Sequence, residues 1–378
     1  MFLSLIVPFR NREAMRVERC LQSLENQTYG DFEIIFADFG SKKEISEQVK
    51  TVCGKFSRVK HFYSHTEGRL WSPGHARNIG IKQASGEFLM TVDIDMIYSP
   101  HFLENAVKEL RTKRLLCYQC YYLPENFTDY EKLPNIDTAG LEESDKTSAK
   151  GIFFMERKAV LEIAGFDEYF RIWGMEDMDL FRRFALQNFE IVWLDLKKNP
   201  VFHQWHPFSD EKENMPKGWK QVMIDYYHAK TPQDLIPQES FGNITTAEAR
   251  LPLMRAREEK SGKTFTFAYP NVKYCVDFAK TFNEMSSGEV LNVRQRFDLL
   301  PEDQPGKLTK VFTKINRWLD KTKLSYRVVE LLSYERELPD YYGVRDFLFY
   351  FIHANERYIA DYYFEYRHHN IDLSLLKK

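Results

Sequence analysis

Cysteine is scarce in this chain, and no apolar run is long. The five cysteines (Cys20, Cys53, Cys117, Cys120, Cys275) are odd in number and scattered. A disulfide framework is therefore excluded as the organising device, and a reducing compartment is the simpler reading. No run reaches the roughly 18 apolar residues that a membrane-spanning helix needs. The apolar segment Phe2 to Phe9 has no basic region before it and no small-residue cleavage site after it, so it reads as a first β-strand. These features predict a cytoplasmic protein. Neither sign of charge is in excess: 53 basic and 55 acidic residues leave a net −2, which argues against a globally basic nucleic-acid binder. What the chain has in quantity is aromatic residues, 15 % of 378 positions within a 43 % hydrophobic share. That composition supports a sizeable core and excludes bulk disorder, and the length allows two or three domains.

The first hundred residues alternate between strand and helix signals. Leu3 to Val7, Phe32 to Ala37, Val59 to Tyr63 and Glu87 to Val92 are short apolar runs. Arg12 to Asn26, Ile45 to Val52 and His75 to Ala84 carry helical spacing between them. Buried strands separated by helices predict an open, Rossmann-like, mostly parallel sheet with helices on both faces. Ligands bind such sheets at the carboxyl ends of the strands, where Asp38 and Asp93 fall. Beyond about residue 235 the character changes: Thr246 to Lys260, Lys307 to Lys323 and Tyr341 to Arg367 read as amphipathic helices. The expected plan is a catalytic α/β domain over 1–235 and a mainly α-helical C-terminal region over 236–378.

Three constellations could carry chemistry. Asp93-Ile94-Asp95 places two carboxylates two residues apart, so on a strand both face one ligand. Hard oxygen ligands of this kind suit Mg²⁺ or Mn²⁺ on a diphosphate, although a solvated loop edge would look the same in sequence. Trp173-Gly174-Met175-Glu176-Asp177-Met178-Asp179 reads as a loop entering a helix. Acidic residues in a first helical turn complement the helix dipole, but that does not explain the Trp-Gly platform before them, which suits stacking on a sugar. His203-Gln204-Trp205-His206 pairs two histidines with a tryptophan downstream of the Asp-x-Asp. A lone histidine is more often a packed residue, whereas this pair makes a ligand role reasonable.

In this order the constellations resemble the family-2 inverting glycosyltransferases of the GT-A fold, in particular members with a galactosyltransferase-type W-G-x-E-D segment, such as the transferase modules of bacterial chondroitin-type polymerases. Further pieces of the resemblance are Val7-Pro8-Phe9-Arg10-Asn11, Asp38-Phe39-Gly40-Ser41, Gly74 to Gly80, Ala84-Ser85-Gly86-Glu87 and Gly165-Phe166-Asp167-Glu168. The resemblance implies a metal-dependent transfer of a sugar from a nucleotide-sugar donor, a UDP-sugar, to a hydroxyl of a glycan or lipid-linked glycan, in polysaccharide or glycoconjugate synthesis. It implies that Pro8 and Arg10 border the nucleotide, Asp38 bonds the uracil, Arg77 approaches the nucleotide or diphosphate, and Asp93 meets the ribose or donor sugar. It further implies Asp95 and His203 as ligands of Mn²⁺ or Mg²⁺, with His206 the alternative histidine, Asp177 as catalytic base, and Trp173, Gly174 and Glu176 lining the sugar pocket. One departure is visible: the usual Asp-Asp-Gly-Ser turn reads Asp38-Phe39-Gly40-Ser41 here, so its second carboxylate is gone.

Rival readings are a haloacid-dehalogenase-type phosphatase, whose Asp-x-Asp normally closes the first strand, and an inactive GT-A scaffold that only binds glycans. A nucleotidyltransferase would need a glycine-rich loop after the first strand, which Pro8-Phe9-Arg10-Asn11-Arg12 is not. Cys117-Tyr118-Gln119-Cys120 has the C-x-x-C form, but on a strand its side chains would face opposite ways. Lys307, Lys310, Lys314, Arg317 and Lys321 fall on one helical arc of roughly 80° beside an apolar arc. A helix of that kind suits either an anionic membrane surface, at the inner face where lipid-linked acceptors would be met, or simple packing with the lysines in water.

Overall fold

Strand β1 (Leu3–Phe9) is buried at every position, as befits a central strand covered on both faces. The computed structural model describes residues 1–133, 136–146, 153–207, 214–230, 241–268, 273–297 and 340–378, in two compact units, Met1–Ala247 and Glu248–Lys378. The expected boundary between 235 and 236 and the basic helix over 307–323 lie outside the described residues.

In the first unit the alternation runs as the sequence predicts: α1 (Ala14–Glu25), β2 (Phe32–Phe39), α2 (Lys43–Cys53), β3 (Val59–Ser64), α3 (Pro73–Gln83) and β4 (Phe88–Thr91). β1 pairs in parallel with β2 and β4, and β2 with β3. The chain then leaves the sheet through β5 (Met96–Tyr98) and α4 (Phe102–Glu109), followed by β6 (Arg114–Cys117), β7 (Tyr121–Tyr122) and β8 (Glu142–Glu143). β9 (Phe153–Glu156), α5 (Arg157–Glu162), α6 (Glu176–Leu186), β10 (Glu190–Trp193), β11 (Val201–His203) and α7 (Trp219–Ala229) complete the unit. The main sheet has seven strands in the order β10-β6-β9-β4-β1-β2-β3, with β9 alone antiparallel to its neighbours. A smaller sheet, β5-β11-β7-β8, sits beyond the end of β4.

Successive residues of β1 supply opposite cores. Leu5 and Val7 join Phe36, Leu21 and Phe102 on one face, and Ile6 joins Ile35, Leu89, Phe166 and Phe184 on the other. Each such side chain contributes roughly 1.5–3 kcal/mol on burial. Gly80 lets α3 lie against the sheet, since a Cβ there would meet Ile6 Cγ2 at 2.5 Å. The stretch Leu115 to Tyr122 around the C-x-x-C is divided between β6 and β7, which belong to different sheets. Cys117 and Cys120 are free and lie in the two opposite cores, so they form no C-x-x-C site.

The second unit carries three helices among the described residues, α8 (Ala247–Glu258), α9 (Tyr274–Asn283) and α10 (Tyr341–Ala354). With them goes a four-stranded sheet, which the sequence does not announce. Its strands are β12 (Lys263–Thr264), β13 (Val290–Arg296), β14 (Ile359–Arg367) and β15 (Asn370–Lys377), in the order β12-β13-β15-β14. The helix expected over Tyr341 to Arg367 ends at Ala354, and its second half is β14. The reversal into β15 uses His368 and His369 at φ 48° and 61°, two left-handed residues as a tight type I′ hairpin requires. No helix of the described residues is long and apolar enough to cross a membrane.

Candidate active site

The loops at the carboxyl ends of β1, β2 and β4 converge. After β1, Asn11 N donates to Ser41 Oγ (2.9 Å) and Asn11 Oδ1 accepts from Lys42 N (2.8 Å), while Arg10 Nη1 donates to Arg69 O at 2.7 Å. Pro8 lies beside Ala37 of β2. Asp38 closes the Asp-Phe-Gly-Ser turn from inside: its Oδ1 accepts from Ser41 N at 2.9 Å. Its side chain is wholly buried, with His61 Nε2 4.0 Å from Oδ2, and burial pushes its carboxyl upward despite the bonds from Ser41 and Ser46. Phe39, standing where the family's second carboxylate would be, packs on Trp71 and His75.

Asp93 and Asp95 directly follow β4, the fourth strand in the chain, and not the first as a dehalogenase-type site would have it. The antiparallel pairing of β11 with β5 sets His203 opposite Met96, and a 2.7 Å bond from Gln204 N to Asp95 O locks the next residue. Both histidines then face one oxygen: His203 Nε2 is 3.6 Å and His206 Nε2 3.0 Å from Asp95 Oδ2. The ligand atoms of Asp95, His203 and His206 lie within 4.8 Å of one another. Burial raises the Asp95 carboxyl, but His203, His206 and Arg16 outweigh it and hold it at about 2. Its Oδ1 is buried with no hydrogen-bond partner. One carboxylate with an unsatisfied oxygen and two imidazoles fit a divalent cation of the Mn²⁺ class. Sequence alone leaves the two histidines as alternatives; the geometry makes them a pair.

Arg77, on α3, is 5 % exposed and gathers the remaining acids. Its Nη2 donates to Asp93 Oδ1 (3.1 Å) and its Nη1 to Glu176 Oε1 (3.2 Å), with Asp177 Oδ1 3.5 Å away. A side chain expected to approach the diphosphate is thus the shared counter-ion of three carboxylates. Burial pushes Asp177 well above the usual carboxylate range, with Glu176 and Asp93 adding to it and Arg77 opposing. Burial likewise takes Asp93 up to about 6, against the pull of Arg77. Glu176 and Asp177 open α6, and the loop before it is strained: Ile172, Gly174 and Met175 have φ of 71°, 95° and 75°. A β-branched residue at positive φ is a true outlier, and such strain gathers at functional sites. Trp173 stands 49 % exposed on this loop.

Other pieces of the sequence pattern are supports. Asn78 donates from Nδ2 to Phe166 O (2.8 Å) and accepts from Phe166 N at Oδ1 (2.8 Å), tying α3 to the Gly165-Phe166-Asp167-Glu168 loop. Ser85 and Gly86 lie at the amino end of the strands, where Ser85 binds Glu33 and Gly86 N donates to Ser4 Oγ. The Ala-Ser-Gly-Glu piece is therefore remote from the acid cluster.

The sequence pattern of glycosyl transferase family 2 matches residues 4–193, half of the chain, and the chain belongs to that family. It is 36 % identical over 106 residues to an uncharacterized glycosyltransferase of Rickettsia bellii, covering 28 % of this chain and 14 % of that protein. It is 34 % identical over 93 residues to a GalNAc(5)-diNAcBac-PP-undecaprenol beta-1,3-glucosyltransferase of Campylobacter jejuni, covering 25 % of this chain and 29 % of that protein. The match thus spans less than a third of either relative. Among solved structures it is similar to S. aureus TarS 1-349 in complex with UDP-GlcNAc, at 21 % identity and a TM-score of 0.43 over 56 % of this chain and 61 % of that one.

Proposed function

We propose that this protein is a metal-dependent inverting glycosyltransferase that moves a hexose from a UDP-sugar to a hydroxyl of a glycan or lipid-linked glycan. The observation that carries the reading is the division of the site into two halves. On one side Asp95, His203 and His206 converge on a single point. On the other, Arg77 draws Asp93, Glu176 and Asp177 together. Family membership supports the transferase chemistry, and the undecaprenol-linked name of the Campylobacter relative supports a lipid-linked acceptor.

Asp95, His203 and His206 would hold Mn²⁺ or Mg²⁺, which when bound neutralises the negative charge developing on a departing nucleoside diphosphate. Pro8 and Arg10 border the nucleotide, and Asp38 hydrogen-bonds the uracil. Asp93 meets the ribose or donor sugar. Asp177 accepts the proton of the incoming hydroxyl as the new bond forms, a role of about 10²–10⁴-fold in typical enzymes. Trp173, Gly174 and Glu176 shape the pocket for the sugar, with the indole offering an apolar face. Attack from the side opposite the diphosphate inverts the anomeric centre.

The test is a panel of nucleotide sugars offered with glycan and lipid-linked acceptors, with and without Mn²⁺, the product's anomeric configuration being read by NMR. Metal-dependent turnover of a UDP-sugar with inversion is expected. Retention of configuration, or turnover undiminished in excess chelator, would overturn the proposal.

A further inference from the structure

We infer that α7 and the lysine that follows it are a buttress for the base loop, making Trp219 and Lys230 positioning residues for Asp177; this rests on the reading of Asp177 as the base. Both residues lie beyond residue 193, where the family match ends.

The segment from Ile172 to Met175 holds two non-glycine residues, Ile172 and Met175, in the left-handed region, so something outside it must impose that shape. α7 grips it at both ends. Upstream, the fully buried Trp219 donates its indole N–H to Arg171 O at 3.0 Å, the same carbonyl that accepts from Trp173 N at 2.9 Å. Downstream, Lys230 reaches Asp179 Oδ1 at 3.1 Å, two residues past Asp177 on the same helix. Lys230 also reaches Asp167 Oδ2 at 2.5 Å, and Tyr226 Oη donates to that oxygen at 2.9 Å. Arg183 completes the group, 2.8 Å from Asp179 Oδ2 and donating to Ile163 O at 2.7 Å. Asp167, Asp179, Arg183 and Lys230 are each at most 5 % exposed at the side chain, and their two positive and two negative charges balance. A second strut runs from Arg182 Nη1 to Tyr227 O at 2.7 Å. The rings of Tyr169 and Tyr226 stack at 3.7 Å, which closes the apolar gap between loop and helix. A buried ion group of this kind fixes geometry more than it adds stability. The geometry it fixes is the entry to α6, where Glu176 and Asp177 sit.

Hydrogen exchange on the wild-type chain under rising denaturant tests the coupling without any assay of turnover. The amides of Ile172, Trp173 and Asp179 should open in one step with those of Val222 and Lys230; loop amides that exchange while α7 stays protected would overturn the inference. Trp219→Phe, which keeps an apolar ring but loses the N–H together with the five-membered ring, should speed exchange at Ile172 and Trp173 about tenfold. It should lower kcat for sugar transfer about tenfold while nucleoside-diphosphate affinity stays within about twofold. Lys230→Arg, which retains a buried cation, should keep more of kcat than Lys230→Met. Wild-type exchange and kcat in Trp219→Phe, or a loss confined to melting temperature, would overturn the buttress. Absence of transfer by the wild type would instead remove the proposed function and leave the exchange measurements decisive for the loop.

Discussion

At the amino end of the main sheet, Glu33 accepts from Ser4 Oγ (2.6 Å), from both the amide and the hydroxyl of Ser85 (2.7 Å each) and from Lys60 Nζ (2.6 Å). At the carboxyl end Asp38, Asp95, Glu176 and Asp177 each keep one buried oxygen with no hydrogen-bond donor. Burial acts on Glu33, Asp38, Asp95 and Asp177 in the same direction. At Glu33 the bonds from Lys60, Ser4 and Ser85 outweigh it and the carboxyl falls to about 2, whereas at Asp38 and Asp177 burial prevails. Saturated carboxylates hold a fold together. Carboxylates left short of donors are costly on their own terms, and four of them gather where ligands meet such sheets.

The largest effect that breaks this contrast should come from Asp95. Asp95→Asn, or excess chelator on the wild type, should lower transfer by about 10³-fold, in line with the several kcal/mol a catalytic cation supplies. Titration of Mn²⁺ against UDP binding, followed calorimetrically, should show the metal-dependent component vanish. Next in size is Asp177→Asn, which keeps shape and removes the proton acceptor. A fall in kcat of about 10²-fold or more is expected, with donor affinity nearly unchanged; steady-state kinetics beside equilibrium UDP binding separates the two, and a normal kcat would move the base elsewhere.

At the other end, Glu33→Gln should cost stability and leave kcat alone. Its carboxyl falls from 4.5 to about 2 on folding, worth about 2 kcal/mol once the exposure of Lys60 is discounted. Because the folded value is depressed, this contribution is complete above the unfolded value near 4.5 and is lost as pH falls toward about 2. Urea melts of both proteins should therefore differ most at neutral pH and converge in acid. The smallest effect is expected from Trp173→Ala. Loss of one stacking face should raise the KM for the acceptor about tenfold with melting temperature unchanged, and a KM equal to wild type would remove the sugar platform.

Much of the working end is legible in the sequence, because the apolar runs Leu3 to Val7, Phe32 to Ala37 and Glu87 to Val92 advertise strands and set Pro8, Asp38 and Asp93 near their ends. The cage around Arg77 is not. An arginine two residues past His75 on α3 carries no mark of being turned inward onto Asp93 and Glu176, which lie 16 and 99 positions away. Pairing of His203 with His206 depends equally on β11 docking against β5. The hairpin of β14 and β15 escapes for a different reason. Its left-handed turn is made by His368-His369, where Asn-Gly would have been the recognisable signal. The run of Tyr362, Tyr363, Phe364 and Tyr366 favours a strand but also satisfies helical spacing when joined to α10.

The bond between Asp95 and His206 spans 111 positions, and this has a bearing on biosynthesis. A chain emerging at about 5–20 residues per second exposes its Asp-x-Asp well before either histidine is made. Until the small sheet forms, Asp95 lacks both of its imidazole partners, His203 and His206. Completion of the Asp95, His203 and His206 cluster is thus tied to late, long-range strand pairing. Such pairing is slow because loop closure precedes its reward, so assembly of the Asp95, His203 and His206 cluster should lag behind formation of the first three strands.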